Sequence, residues 1–406
     1  MTFKIAHLST SSRGGAAVAA QELSNALSNK GLDSTLISRD NLRNFEYRTP
    51  RKFSNNFLGK IVTQFQAINT RPPFGIATPV SISNLETARL LRTNFDLLHI
   101  HNWYNLLNVN DLNMLAKSTP LVFTFHDERL ITGGCHTTIG CKNFESSCTN
   151  CPAVRTHKSG ITKSKRELVN LLSVAPNVSA ISPSKWIIEQ IQNAGLATNF
   201  TSLVHIPNII SSEYFTSQAP QERDEKITKL LFISADLNTE IKGLRLLFKS
   251  LEILTSDVSL TRVQEIELHL IGGGELPDGD ASNFKVIRHG YRNRDQIKRL
   301  MSQSTFLVVP SLSENSPNVI AEAQLMGLPV IGSDVAGIPE LIRDSETGFL
   351  APTNAEGLSV VISKALTSKN LQKIALSAQS SARLRYDIEL ITQAHIDVYE
   401  KALRAK

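Results

Sequence analysis

At 406 residues with a net charge of +6, the chain is too long for one ordinary hydrophobic core, and about two to three domains are expected. Its 41% hydrophobic and 20% charged residues form an ordinary globular composition, able to bury sizeable cores. No run reaches the roughly 18–20 apolar residues of a membrane span, and the opening "MTFKIAHLST" lacks the charged-then-apolar profile of a secretory leader, so a cytoplasmic protein is expected. The charge is uneven: residues 1–205 hold 21 Lys and Arg against 12 Asp and Glu, residues 206–406 hold 22 against 25. The basic half is the one expected to meet an anionic partner.

The chain opens as strand, loop, helix, strand: "FKIAHLST", "SSRGG", "AAVAAQELSNALSNKG", "STLIS", with Gly31 placed to stop the helix. Gly14 and Gly15 follow the first strand and open the first helix, so backbone there can approach an anion held at the helix N-terminus; the same glycines also suit a plain strand-to-helix turn. Neither "GGAAVAA" nor "GGGELP" has G-x-G-x-x-G spacing, which disfavours a nicotinamide enzyme. Residues 39–92 carry nine basic against three acidic side chains, and in "FLGKIVTQFQAI" Phe57, Ile61, Phe65 and Ile68 line one helical face. Two readings stay open: a helix lying on an anionic inner-membrane surface, or an amphipathic helix of the core. Strands at 95–101, 120–127 and 177–184, separated by helical patterns, make residues 1–207 one α/β domain.

All four cysteines fall in "GGCHTTIGCKNFESSCTNCP", residues 133–152, on the loop after the 120–127 strand. The spacing C-x5-C-x6-C-x2-C ends in half of a tetrahedral thiolate site, and Cys135 and Cys141 are near enough to complete it with Cys148 and Cys151; His136 is a substitute ligand. Structural zinc is the favoured reading, a clasp on a loop without room for its own core. Redox-labile or disulfide pairs and unligated thiols remain open, although a reducing cytoplasm disfavours structural disulfides.

A polar stretch, "SSEYFTSQAPQERDEKITK", reads as a linker with the domain boundary near residue 208. A second strand–helix alternation then fills residues 208–385, and two doubly wound domains facing a cleft would place ligand groups on the loops after strands. In "PSLSENSPNVIAEAQLMGLPV", Ser316 can cap a helix with Pro317 at its first position, presenting the amides of residues 316–319 to an anion. Glu314 and Glu322 would stand on the order of 10 Å apart, enough to hold two ends of one elongated ligand, where the bland alternative is a solvated pair. "DGD" (278–280) imitates a metal-binding D-x-D but lies in a polar loop, and no catalytic metal is expected.

This block resembles the signature of glycosyltransferase family 4, the retaining, nucleotide-sugar-dependent enzymes of the GT-B fold: E-x7-E as Glu314 and Glu322 with Pro317 inside, then Gly327, Pro329 and Val330. Collinear support covers nearly the whole chain, from Gly14-Gly15 through "FHD" (125–127), "SPS" (182–184), "IPN" (206–208), "IKG" (241–243), "LIGGG" (270–274), "GIPELI" (337–342) and "TGFLAP" (347–352). The resemblance implies two Rossmann-like domains, with a terminal helix at 386–406 returning to the first. It implies that Glu322 holds the ribose hydroxyls, that Glu314 contacts the transferred sugar and Lys242 the diphosphate, that Asn315, Ser316 and Asn318 with Gly14 and Gly15 line the anion cradle, and that His126 meets the donor sugar. The implied reaction is front-face attack with retention, needing no divalent metal. Within the family the chain resembles a subgroup of bacterial polysaccharide enzymes with a Cys-rich insertion, implying a lipid-linked glycan acceptor in cell-surface polysaccharide or lipopolysaccharide assembly. Ala235 and Asp236 stand where many relatives carry an arginine, leaving Arg13, Arg245 and Arg292 as candidate replacements. Epimerase or phosphorylase chemistry on the same fold and a non-catalytic binding scaffold are the alternatives. A sequence pI near 9.1 comes without the aromatic-basic pattern of nucleic-acid binding.

Overall fold

The computed structural model describes residues 3–40, 55–74, 77–82, 85–215, 227–256, 265–276 and 283–405, with the backbone alone for 55–60. The "DGD" triplet and most of the expected linker, 216–226, lie outside the described residues. The chain divides into two compact units, Met1–Ile209 with Ile388–Lys406, and Ile210–Asp387.

The first unit holds a parallel sheet of β1 (Lys4–Ser9), β2 (Asp33–Ser38), β3 (Leu97–Ile100), β4 (Leu121–Thr124), β5 (Val178–Ser182) and β6 (Ser202–His205) in the order β2-β1-β3-β4-β5-β6. Between them run α1 (Gly15–Asn29), α2 (Asn55–Asn69), α3 (Leu85–Asn94), α4 (Val109–Ala116), α5 (Lys158–Val174) and α6 (Lys185–Asn193). Strands β3 and β4 are buried at every residue, as parallel strands covered by helices on both faces must be. Local signals set the helix ends: Asn108 and Asp111 form a capping box at α4, Ser184 caps α6, and Gly31 at φ 82 follows the end of α1.

The second unit repeats the grammar with β7 (Ile227–Asp236), β8 (Glu265–Gly273), β9 (Lys285–Gly290), β10 (Phe306–Val309), β11 (Val330–Ser333) and β12 (Phe349–Ala351), all parallel, in the order β12-β11-β10-β7-β8-β9. Its helices are α7 (Leu244–Ser256), α8 (Arg294–Gln303), α9 (Asn318–Leu325), α10 (Ala355–Leu366) and α11 (Leu371–Arg385). The final helix, α12 (Ile388–Arg404), packs in the first unit against α1, β4 and β5. Strand order reverses between β1 and β3 in the first sheet and between β7 and β10 in the second, and ligands of open α/β sheets bind beyond the carboxyl ends of strands at such points.

Candidate active site

In the second unit, the loops after β7 and β10 bring the predicted lysine and glutamate together. A tight turn, Glu240–Lys242, ends at Gly243 with φ 74, and a Cβ there would come within 1.9 Å of the Pro310 carbonyl oxygen. Only glycine lets the lysine turn lie this close to the end of β10. Leu312 N–H donates to the Ile241 carbonyl at 2.8 Å and ties the two loops. Lys242 Nζ forms a direct ion pair with Glu314 Oε1, which also accepts from Ser311 Oγ at 3.3 Å. Helix α9 begins at Asn318 with Pro317 at the cap and no side-chain capping bond. Ser316 is therefore not the cap, and Pro317 stands one position earlier than expected, because its extended ψ of 117 delays the first helical residue. The start of α9, where the Ile320 N–H donates to the Pro317 carbonyl at 3.1 Å, still carries the positive end of the dipole.

Glu322, in the second turn of α9 and half-buried, has a neighbour that the sequence reading missed. Tyr214 hydrogen-bonds it; burial first, and the Glu322 charge next, push that phenol well above its ordinary range. Tyr214 is set by a turn, Ser212–Tyr214, that Arg294 grips through Ser211 Oγ at 3.0 Å and Glu213 Oε1 at 2.9 Å.

In the first unit, the loop after β1 is shaped by Asp40, which accepts from Ser12 N at 2.8 Å and Ser12 Oγ at 3.0 Å; the Ser12 amide is the main cause of its lowered pKa. Gly14 (φ 93) opens α1, and added Cβ atoms at Gly14 and Gly15 would meet nothing within 4 Å. The backbone there is open to a ligand.

A cluster of histidines runs from the middle of β1 to the carboxyl ends of β3 and β4. His7 and His99 are register partners across β1 and β3, so their side chains share a face, and His101 follows two residues on. His7 Nδ1 lies 3.0 Å from His101 Nε2, and His101 Nδ1 lies 2.9 Å from His126 Nε2. His99 pairs with Tyr399 OH at 2.6 Å and Thr124 Oγ1 at 2.7 Å, while His395, also on α12, holds the Ile391 carbonyl at 2.8 Å. Burial is the main cause that lowers every one of these imidazoles, His7 to about 3, His126 and His395 to about 4, and His99 and His101 well below the ordinary value. Beside His126, burial would raise the Asp127 carboxyl, but the Arg129 guanidinium, in a forked contact at 2.6 and 2.9 Å, holds it down to about 2. Glu128, buried and bonded to Thr138 N at 2.7 Å, is raised by burial to about 7.

The family model for Glycosyltransferase Family 4 matches residues 13–208, and that for Glycosyl transferases group 1 matches residues 228–368. The chain belongs to glycosyltransferase family 4. An Escherichia coli strain K12 protein assigned to colanic acid biosynthesis as a glycosyl transferase is 24% identical over 84% of this chain and 83% of its own length. The N,N'-diacetylbacillosaminyl-diphospho-undecaprenol alpha-1,3-N-acetylgalactosaminyltransferase of Campylobacter jejuni is 25% identical over 53% of this chain and 58% of its own. Among solved structures, Anabaena HepE in complex with UDP and glucose aligns with a TM-score of 0.62 at 16% identity, covering 98% of this chain and 99% of that one, which shows a shared GT-B fold.

In this glycosyltransferase the cysteine loop, expected to have no room for a core of its own, packs into the core of the first unit. Cys135, Cys148 and Cys151 are buried in the same apolar core as β3, β4 and α5. All four cysteines line one cavity of about 20 Å³ with Phe74 and Phe144. The Cys135 thiol pairs with the Cys151 sulfur, which pulls Cys151 down to about 6 and pushes Cys135 up, and amides of Ala153 and Val154 also point at Cys151. Cys148 and Asn150 take left-handed φ values of 55 and 52, bending the C-x2-C turn around its sulfurs. Among the described residues no three sulfurs lie mutually within 4.8 Å; His7, His99 and His101 do place three ligand nitrogens that close. His136 pairs with Asp127 Oδ2 at 3.4 Å and does not join the sulfurs.

Of the cations considered for the missing arginine, Arg292 donates to the Tyr291 carbonyl at 3.0 Å, and Arg13 and Arg245 are exposed. On α2, Ile61, Phe65 and Ile68 are 47, 54 and 70% exposed, whereas Gln66 is buried, so the apolar stripe faces out and the core-helix reading fails for these three; the side chain of Phe57 lies outside the described residues. No helix of the described residues is long and apolar enough to cross a membrane.

Proposed function

We propose that this glycosyltransferase moves a hexose-type sugar from a nucleotide diphosphate donor, with retention, to a lipid-linked glycan in cell-surface polysaccharide assembly. The Lys242–Glu314 ion pair at the strand reversal of the second unit, just before the positive end of α9, carries the reading. Bound diphosphate would take Lys242 from Glu314, leaving the carboxylate for sugar hydroxyls, while Glu322, steadied by Tyr214, accepts from the ribose. Asn315, Ser316 and Asn318 complete the donor cradle, Gly14 and Gly15 are the anion contact of the first unit, and His126 is the sugar contact there. The Campylobacter relative, whose name specifies an undecaprenol-diphosphate saccharide, and the basic first half support a lipid-linked acceptor. The outward apolar stripe of α2 supports docking on an anionic bilayer. The four cysteines round one cavity support structural zinc, an ion whose binding would draw the sulfurs closer; no divalent metal is assigned to the transfer step.

The test is a titration of the purified protein with a panel of nucleotide sugars beside Glu322→Ala. One donor should bind tightly and weaken about tenfold or more in the variant, the loss expected for a charge-assisted hydrogen-bond pair. Unchanged affinity would remove Glu322 from the ribose, and a product with inverted anomeric configuration would overturn retention.

A further inference from the structure

The row His7–His101–His126 links the buried middle of β1 to the end of β4. His7 is fully buried and His101 is 6% exposed. Because burial keeps the imidazoles neutral near pH 7, each nitrogen-to-nitrogen contact holds one proton. Two proton orders satisfy that condition. In one, each ring donates through Nδ1 to the next, toward His126, and His7 Nε2 is left a bare lone pair. In the other, each ring donates inward through Nε2, and His7 buries an N–H.

His7 Nε2 is buried with no hydrogen-bond partner. An orphaned buried N–H is rarer than an unused acceptor, so the outward order is the one that fits. His99 is not a branch of the row, since both its nitrogens are taken by Tyr399 and Thr124. The other titratable and charged groups facing the row are His395 and Tyr399 on α12 and Asp127, Arg129 and His136 on the loop after β4.

We propose that His101, backed by His7, is a positioning residue that locks His126 in the Nδ1–H tautomer, so that His126 offers a hydrogen-bond donor, not an acceptor, to an oxygen of the transferring sugar. A lone neutral imidazole prefers the opposite, Nε2–H form, so the row imposes a state that His126 would not choose unaided. The second half of the statement rests on the role given to His126 above; the tautomer itself does not.

Long-range proton–nitrogen NMR of the full-length protein, labelled with nitrogen-15 histidine, tests the lock at pH 7.5, with His126 assigned by its loss in His126→Asn. The expected pattern is a protonated Nδ1 and a bare Nε2 on His126. His101→Leu should shift His126 to Nε2–H and lower the transfer kcat about tenfold, one hydrogen bond's worth, with donor Kd unchanged. His101→Asn, whose amide nitrogen can donate from near the place of Nδ1, should restore the tautomer and most of the rate. If His101→Leu does not fold, His7→Leu against His7→Asn poses the same comparison one link further in. An Nε2–H His126 in the unaltered protein, or a tautomer indifferent to residues 101 and 7, overturns the proposal. A tautomer that shifts while kcat does not would leave the lock standing and overturn the sugar contact on which the second half rests.

Discussion

Lowering the pH from 7.5 to 5.5 should strip the first unit of much of its stability. Five buried imidazoles, His7, His99, His101, His126 and His395, are held below the ordinary value of 6.5, those with resolved magnitudes at about 3 to about 4. The unfolded chain therefore binds protons that the folded unit refuses, and the stability tied to these groups, complete above 6.5, drains as pH falls toward the folded values. At pH 5.5 an unfolded imidazole is about nine-tenths protonated, which costs the folded state about 1.4 kcal/mol per histidine and about 7 kcal/mol for five. Glu128 opposes this: its folded pKa is raised to about 7, so the folded unit gains that proton and recovers about 2 kcal/mol over the same interval. His136, with a side chain 41% exposed, adds little because water screens it. The net loss is about 5 kcal/mol, comparable with the whole stability of an ordinary domain at about 5–15 kcal/mol. Trp103 and Trp186 are the two tryptophans of the chain and both lie in the first unit, so tryptophan fluorescence in urea follows that unit alone. A loss below about 1.5 kcal/mol, the share of one histidine, would refute the burial of a neutral cluster.

Gly243→Ala should cost the second unit about 2–3 kcal/mol and loosen donor binding, because the new methyl meets the Pro310 carbonyl oxygen at 1.9 Å and φ is 74; an unchanged thermal midpoint would show that the lysine turn needs no glycine. Anaerobically purified protein should contain one zinc per chain, and Cys151→Ser should release it and lower the urea midpoint of the first unit; metal analysis that finds none leaves four thiols in a dry core. The protein should float with vesicles rich in anionic lipid and not with zwitterionic ones, and serine at Ile61, Phe65 and Ile68 should abolish flotation without altering donor affinity; equal flotation of the variant would sink the membrane face.

Much of the fold was legible because strands such as "FLVV" are unbroken apolar runs, which is what burial on both faces of a parallel sheet requires. Which side of α2 is buried was not legible: a helical period says that a stripe exists, and the structure turns Gln66 inward and the stripe out. Lys242 and Glu314, 72 residues apart, could be paired only through the resemblance, since the contact depends on β7 and β10 being neighbours and on Gly243 allowing two loops to touch.

The histidine cluster had a sequence signal that went unread. In "LLHIH", His99 of β3 and His101, one residue past its end, are two apart and so point the same way, and His7 stands mid-strand in "KIAHLS". Polar residues at that period ordinarily mark a solvent-facing side. Here the side is buried, because α12, whose Tyr399 lies 300 residues beyond His99, supplies a hydroxyl and a second aromatic layer over it. A helix from the far end of the chain thus converts an apparent surface stripe into a desolvated one, and desolvation keeps the row neutral. Neutrality is what gives each contact a single proton and lets a residue as deep as His7 have a say in which nitrogen of His126 is free. The acid lability of the first unit and the tautomer of His126 are two consequences of that one burial, so a loss of α12 packing should disturb both together.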